Sequence, residues 1–271
     1  MQFFKRKQPE PVQNQQPMQR FLSYQMANLQ GIGTRQSQED SFAFVNAMDV
    51  MEIKNNGLLA LLADGMGGMQ DGKLVSEAAI KAVTDDFRKM DRKKNMGIQL
   101  KESIFRANSA LFNTFRGNGG TTIVACIFFQ ERLYFASVGD SFLYLKRDGG
   151  IYRLNREQTC RQDEYLELLR EGSLDTTQAD EDEDGLRLSQ FLGCDELEEV
   201  DTLSRPWRIQ EGDVLLICSD GVGGVLTEPE LLECLGEPTP EQACRRMEQE
   251  IKTKKRMHQD NYTALVIACR Y

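Results

Sequence analysis

Leu58-Leu59-Ala60-Leu61-Leu62-Ala63-Asp64-Gly65-Met66-Gly67-Gly68 and Val214-Leu215-Leu216-Ile217-Cys218-Ser219-Asp220-Gly221-Val222-Gly223-Gly224 share one pattern. Each is a short apolar run stopped by an aspartate and a glycine. Runs of this length read as buried strands, so each aspartate stands where a strand leaves the core. A carboxylate there is costly to bury unless it is paired or holds a metal. Taken singly, an Asp-Gly after a strand is an ordinary turn. Two of them brought to one place would make a metal site.

The flanking sequence supplies further strands and helices. Phe42–Val45, Thr122–Phe129, Leu133–Val138, Phe142–Lys146 and Tyr262–Cys269 read as strands. Gln130-Glu131-Arg132 and Asp148-Gly149-Gly150 read as hairpin turns between them. Apolar residues recur at helical spacing over 73–92 (Val75, Ala79, Val83, Phe87) and over 98–115 (Ile104, Leu111, Phe115). Thr227-Glu228-Pro229-Glu230 and Thr239-Pro240-Glu241-Gln242 carry the threonine-to-acid or threonine-to-amide spacing that opens a helix. Strands come in antiparallel-looking groups with helices in pairs, which favours an α+β layered fold over alternating βαβ units. Residues 155–187 break the rhythm. A short amphipathic helix around Tyr165–Leu169 runs to Gly172 and then into the acidic run Asp180–Asp184, as in an irregular, mobile insertion. Residues 1–22 read as a disordered tail: the first twenty hold six Gln and three Pro. Residues 23–271 read as one domain.

Composition excludes several classes. The 271 residues are 40% hydrophobic and 28% charged, enough for a sizeable core. The formal net charge of −9 argues against nucleic acid as a partner. No apolar stretch is long enough for stable membrane insertion, and Met1–Lys7 is followed by Gln and Pro rather than the apolar core of a signal peptide. The seven cysteines form no CxxC pair, and five lie in or beside apolar stretches, as buried thiols in a reducing cytoplasm would. The expected state is a cytoplasmic monomer.

The chemical tools left are carboxylates. His258 is the only histidine, and neither a GxSxG elbow, a Walker A loop nor HExxH is present. The remaining candidates are Glu39-Asp40, Asp64, Asp140, Asp220 and Asp260, all beside strand-like runs. Hard oxygen donors of this kind select magnesium or manganese. Two such cations would offset the mutual repulsion of the acids and activate a shared water. Arg35, four residues before Glu39, can offer a bidentate fork to a phosphate.

These motifs, in this order, resemble the type-2C metal-dependent serine/threonine protein phosphatases in their bacterial form. The resemblance covers about residue 30 to the end. It rests on Gly33–Ser41, Ala63–Gly68, Gly120-Thr121-Thr122, Gly139-Asp140-Ser141, Leu188–Gly193, Gly212–Gly221 and Gln259–Thr263. It implies a four-layer sandwich, two central antiparallel sheets flanked by helix pairs, with the metals at one end. By position, Asp64 corresponds to the carboxylate between two divalent cations and Asp220 and Asp260 to ligands of the first. Glu39 and the Gly65 carbonyl correspond to ligands of the second, with Asp40 in support. Asp140 matches the residue that, with Asp220, holds a third, weaker cation. Arg35 matches the phosphate clamp, and the insertion at 155–187 the flap tied to substrate choice.

The implied activity is hydrolysis of phosphoserine and phosphothreonine in proteins by a hydroxide bridging the metals, in opposition to a bacterial serine/threonine kinase and its targets. A catalytically silent phosphoprotein binder is the alternative, and the complete set of carboxylates argues against it. Four departures stand out. Gln38 replaces an asparagine. Met66 stands where eukaryotic members carry a histidine, so water must protonate the leaving alcohol. Phe142 replaces a basic residue, and Val222-Gly223-Gly224 replaces a bulkier segment, which predicts a looser loop behind Asp220.

Overall fold

A computed structural model describes residues 21–66, 72–182 and 184–271. The expected tail up to residue 20, the loop at 67–71 and Glu183 of the acidic run lie outside the described residues. The chain runs β1 (Ser23–Gly31), β2 (Ser41–Val45), α1 (Val50–Asn56), β3 (Leu58–Ala63), α2 (Gly72–Lys89), α3 (Met96–Phe115), β4 (Ile123–Phe129), β5 (Arg132–Val138), β6 (Phe142–Arg147) and β7 (Gly150–Arg153). It continues through α4 (Cys160–Arg170), α5 (Thr177–Glu181), β8 (Asp201–Thr202), β9 (Trp207–Arg208) and β10 (Val214–Cys218). It ends with α6 (Asp220–Gly223), α7 (Glu228–Cys234), α8 (Pro240–Lys254) and β11 (Tyr262–Arg270).

Two antiparallel sheets form, in the orders β1-β11-β10-β6-β7 and β2-β3-β4-β5-β8, with β9 also pairing β5. Side chains alternate across a strand, and β3 shows why its sequence does not. Leu58, Ala60 and Leu62 enter the core between the sheets. Leu59, Leu61 and Ala63 enter a second core beneath α2 and α3. In β10, Leu215 and Ile217 face the partner sheet, whereas Leu216 and Cys218 face α7 and α8 through Leu231, Met247 and Ile251. Both faces are covered, so every position is apolar. The result is the expected four-layer α+β sandwich. Each buried leucine contributes about 1.5–3 kcal/mol of transfer free energy.

Local signals set the boundaries. Gln130 and Glu131 turn between β4 and β5 at φ 51° and 58°, and Asp148 and Gly149 between β6 and β7 at 50° and 78°; this double left-handed turn matches the twist of the paired strands. Thr227 N donates to Glu230 Oε2 at 2.8 Å to open α7, and Thr239 Oγ1 accepts from Gln242 N at 3.3 Å to open α8. Two elements had no clear sequence signal. β1 is an edge strand of mixed exposure, ordered by nine-residue pairing with β11. α1 buries no side chain and is held at its start by Asp49 Oδ1, which accepts from Met51 N and Glu52 N. The insertion at 155–187 carries the expected short helix as α4 and adds a second, α5, where the acidic run begins.

Candidate active site

Antiparallel register decides where the acids meet. Ser41 pairs with Ala63, Leu62 with Val124, and Cys218 with both Phe142 and Ala264. The ends of β3 and β10 therefore share one edge of the sandwich with the starts of β2, β4, β6 and β11. Asp64 and Asp220 leave the core there, joined by Glu39-Asp40, Asp140 and Asp260. A cavity of about 200 Å³ at this edge is lined by Arg35, Glu39, Asp64, Gly65, Asp140, Asp220 and Asp260, with Met66, Thr122 and Leu188. Asp40 stands behind it, only 4% exposed. All the sequence-derived residues converge.

Hydroxyls and amides fix the backbone around them. Thr122 N and Thr121 Oγ1 donate to Asp64 O at 2.9 and 2.8 Å, and Asp64 N donates to Thr122 Oγ1 at 3.0 Å. Thr122 Oγ1 lies 2.8 Å from Ser141 Oγ, beside Asp140. Ser219 Oγ donates to Asp40 Oδ2 and accepts from Thr263 N, both at 3.0 Å, tying β10, β11 and the start of β2 together. Glu39 N donates to Asn261 Oδ1 at 2.8 Å. Ser219, Ser141 and Asn261 stand inside the sequence motifs, but sequence reading gave them no role, because a hydroxyl or amide beside a strand carries no signal until its partner is known. Gln38, the replacement for an asparagine, is held at both ends: Nε2 donates to Gly31 O and Oε1 accepts from Asp40 N, both at 3.1 Å.

Two glycines are required by close approach. A Cβ on Gly65 would stand 2.4 Å from Gly72 O, and one on Gly221 would stand 1.8 Å from Asn261 O. The loop behind Asp220 is also tighter than its sequence predicts. It forms α6, and Gly223 lies directly under the Phe142 ring.

Burial, followed by crowding of like charge, controls the electrostatics. It holds Asp64 well above the usual carboxylate range, reinforced by the charges of Asp40, Asp220 and Asp140. It pushes Asp140 up to about 7, with Asp220 and Glu157 adding to it. Asp40 rises to about 6 despite bonds from Thr263 and Ser219 that favour its charged form. Asp220 is raised by burial and then by Asp260. Arg35 Nη2 donates to Asp260 Oδ2 at 2.5 Å, with half of the arginine side chain exposed.

Among the described residues, no three acidic, imidazole or thiol side chains form a group closed around an ion. Even so, the donors fit divalent cations. All are hard oxygens, the acids are destabilised by one another's charge, and Asp40 Oδ1 is buried with no hydrogen-bond partner among the described residues. Positive charge in the cavity would relieve each of these.

Comparison with known proteins points the same way. The protein phosphatase 2C family profile matches residues 25–166. A serine/threonine phosphatase, stp, of Listeria monocytogenes is 31% identical over 194 residues, 69% of this chain and 75% of its own length. The catalytic domain of the serine/threonine protein phosphatase PstP, solved with two manganese ions, superposes with TM-score 0.73 at 25% identity, covering 93% of this chain and all of that one. The Ser-Thr phosphatase MsPP of Mycobacterium smegmatis, solved with cacodylate, gives 0.70 at 26%, covering 90% and 97%.

Proposed function

The chain belongs to the protein phosphatase 2C family and is a protein-serine/threonine phosphatase, and on that premise we propose that it hydrolyses phosphoserine and phosphothreonine with two bound divalent cations, manganese or magnesium. The observation that carries this reading is the convergence of Glu39, Asp64, Asp140, Asp220 and Asp260 on one cavity that Arg35 also lines. In the proposed assignment Asp64 would serve both cations. Asp220 and Asp260 would hold the first, Glu39 and the Gly65 carbonyl would hold the second, and Asp40 would support them from behind. Asp140 with Asp220 would hold a third. The cations would supply Lewis acidity, activating water and neutralising phosphate charge.

The chain's own groups do the rest. Arg35 is half exposed, so its fork can pass from Asp260 to two phosphate oxygens and orient the phosphorus for attack. Ser219, Thr122 and Asn261 hold the acidic loops in place and keep the geometry fixed through turnover. The oxygen of water bonds to phosphorus as the bond to the serine or threonine oxygen breaks, and that oxygen takes up a proton. Met66 on the cavity wall has no proton to give, so the proton comes from water. The silent-binder alternative loses its motive with every acid in place.

The substrates are proposed to be phosphoproteins, including targets of an opposing serine/threonine kinase. We place the protein in the cytoplasm as a monomer without nucleic-acid partners. Its seven free cysteines, five of them buried, suit a reducing compartment, and no helix among the described residues is long and apolar enough to cross a membrane.

Manganese-dependent hydrolysis of p-nitrophenyl phosphate and of a phosphothreonine peptide tests the reading. Asp64→Asn and Asp220→Asn should each abolish it. Full activity in excess chelator would overturn it.

A further inference from the structure

A second cleft, about 330 Å³, opens beside the aspartate cavity and shares Asp140, Asp220 and Asp260 with it. Its volume is at the lower end of ligand-binding pockets. One wall is the flap segment, through Glu157 and Leu186. The opposite wall is the loop between α8 and β11, through Arg256 and His258. A substrate whose phosphorylated residue enters the aspartate cavity can lay a neighbouring part of its chain along this adjoining cleft.

The charges of the cleft can be sorted. Asp140, Asp220 and Asp260 belong to the proposed cation site. Glu157 is matched by Arg153, whose Nη1 donates to Glu157 Oε2 at 3.1 Å. Near the end of α8, Lys252 pairs with Glu248 and Lys254 with Glu230. Arg256 differs. No carboxylate among the described residues lies within ion-pair distance of it, and its one hydrogen bond runs from Nη2 to Gly224 O at 3.0 Å. That bond anchors the side chain to the turn after α6, and no other acceptor among the described residues takes the remaining guanidinium N–H groups. Lys255 turns the backbone at φ 48° just before it, ending the helix and carrying Arg256 onto the cleft wall. In a chain of net charge −9, an uncompensated arginine beside the only histidine, at the mouth of the acidic site, is a feature packing does not require.

We propose that this cleft is a substrate subsite and that Arg256, with His258 beside it, selects an anionic side chain close to the phosphorylated residue. The proposal rests on the aspartate cavity being the hydrolytic site. The preferred side chain is a carboxylate or a second phosphate, the shared chemistry being a negative charge that the guanidinium can meet with paired N–H groups. Since Arg256 is exposed, the preference is modest and falls with added salt.

The test is a set of phosphothreonine peptides in which glutamate, lysine or alanine occupies each of the three positions on either side, together with a doubly phosphorylated peptide. The readout is the ratio of kcat/KM values within each enzyme variant, so that any general loss of activity or folding cancels. Wild type should favour glutamate over alanine about three- to fivefold at one position or two adjacent ones, and the second phosphate at least as much. Arg256→Lys should keep the preference, Arg256→Gln should bring the ratio close to one, and Arg256→Glu should turn it toward lysine. A wild type indifferent to flanking charge, or an Arg256→Gln ratio equal to wild type, would overturn the subsite. Failure of wild type to hydrolyse p-nitrophenyl phosphate with manganese would instead overturn the hydrolytic reading beneath it.

Discussion

The ring of Phe142 fills the space that a side chain at position 223 would need: a Cβ on Gly223 would stand 2.4 Å from Phe142 Cδ2. Phe142 opens β6 directly after Asp140-Ser141, and Gly223 closes α6, which begins at Asp220. Two of the segments that depart from the family pattern therefore meet. The ring is pinned from above by the Arg153 guanidinium, 4.2 Å from its centroid, and stacks on Tyr144 at 5.8 Å and 9°. The cation missing at position 142 is thus restored from β7, and the small loop behind Asp220 is held firmly.

Gly223→Ala should therefore destabilise the protein by about 1–3 kcal/mol, as overpacking does, and lower activity through Asp220. Phe142→Leu in the same chain should recover much of that loss, because the two substitutions share one space. Urea melts of the two single variants and the double variant measure the coupling. Strict additivity would show that the ring and the glycine act independently.

The raised carboxylates set a pH dependence. Asp40 titrates at about 6 and Asp140 at about 7 in the folded chain, against about 3.9 unfolded. The folded state therefore binds more protons than the unfolded state between about pH 4 and 7, and these groups withdraw stability as pH rises through that window. Manganese binding must displace those protons. Calorimetry in two buffers of different ionisation heat should show proton release at pH 6 that fades by pH 8.5. Equal release at both would contradict the shifts.

Arg35→Lys should reduce kcat/KM for p-nitrophenyl phosphate about ten- to a hundredfold, the weight of a charge-assisted hydrogen bond made by the fork and not by a point charge. If lysine serves equally well, the bidentate role is wrong.

Ser219→Ala removes the hydroxyl that donates to buried Asp40 and accepts from Thr263 N. With Asp40 Oδ1 already without a hydrogen-bond partner among the described residues, the loss should be about 1–3 kcal/mol, together with weaker manganese binding. Chelated melts and a manganese titration give the two numbers. Unchanged manganese affinity would separate Ser219 from the site.

Gly221→Ala places a Cβ 1.8 Å from the Asn261 carbonyl oxygen, a backbone atom that cannot swing away. Loss of activity well beyond that of Gly223→Ala is expected, since α6 must lift Asp220 away from β11. Comparison of the two variants with p-nitrophenyl phosphate decides it.

Sequence alone was enough wherever burial and turns are local. The apolar runs of β3 and β10 announced strands covered on both faces, the threonine caps announced α7 and α8, and Asp64 and Asp220 stood out because an aspartate ending such a run needs a reason. Side-chain periodicity and capping act over a few residues, so a reader of the chain can see them. Tertiary structure alone decided what depends on register between distant segments. Asp40 and Ser219 are 179 positions apart and share one hydrogen bond; Arg35 reaches Asp260 across 225. β1 is ordered by β11 rather than by its own polar sequence. The tightness behind Asp220 came from Phe142, and the open charge of Arg256 from the want of a carboxylate beside it among the described residues, its side chain bonding Gly224 O instead. Such contacts form only when the sheets stack, because the free energy that selects them belongs to the assembled core and to no single stretch of chain.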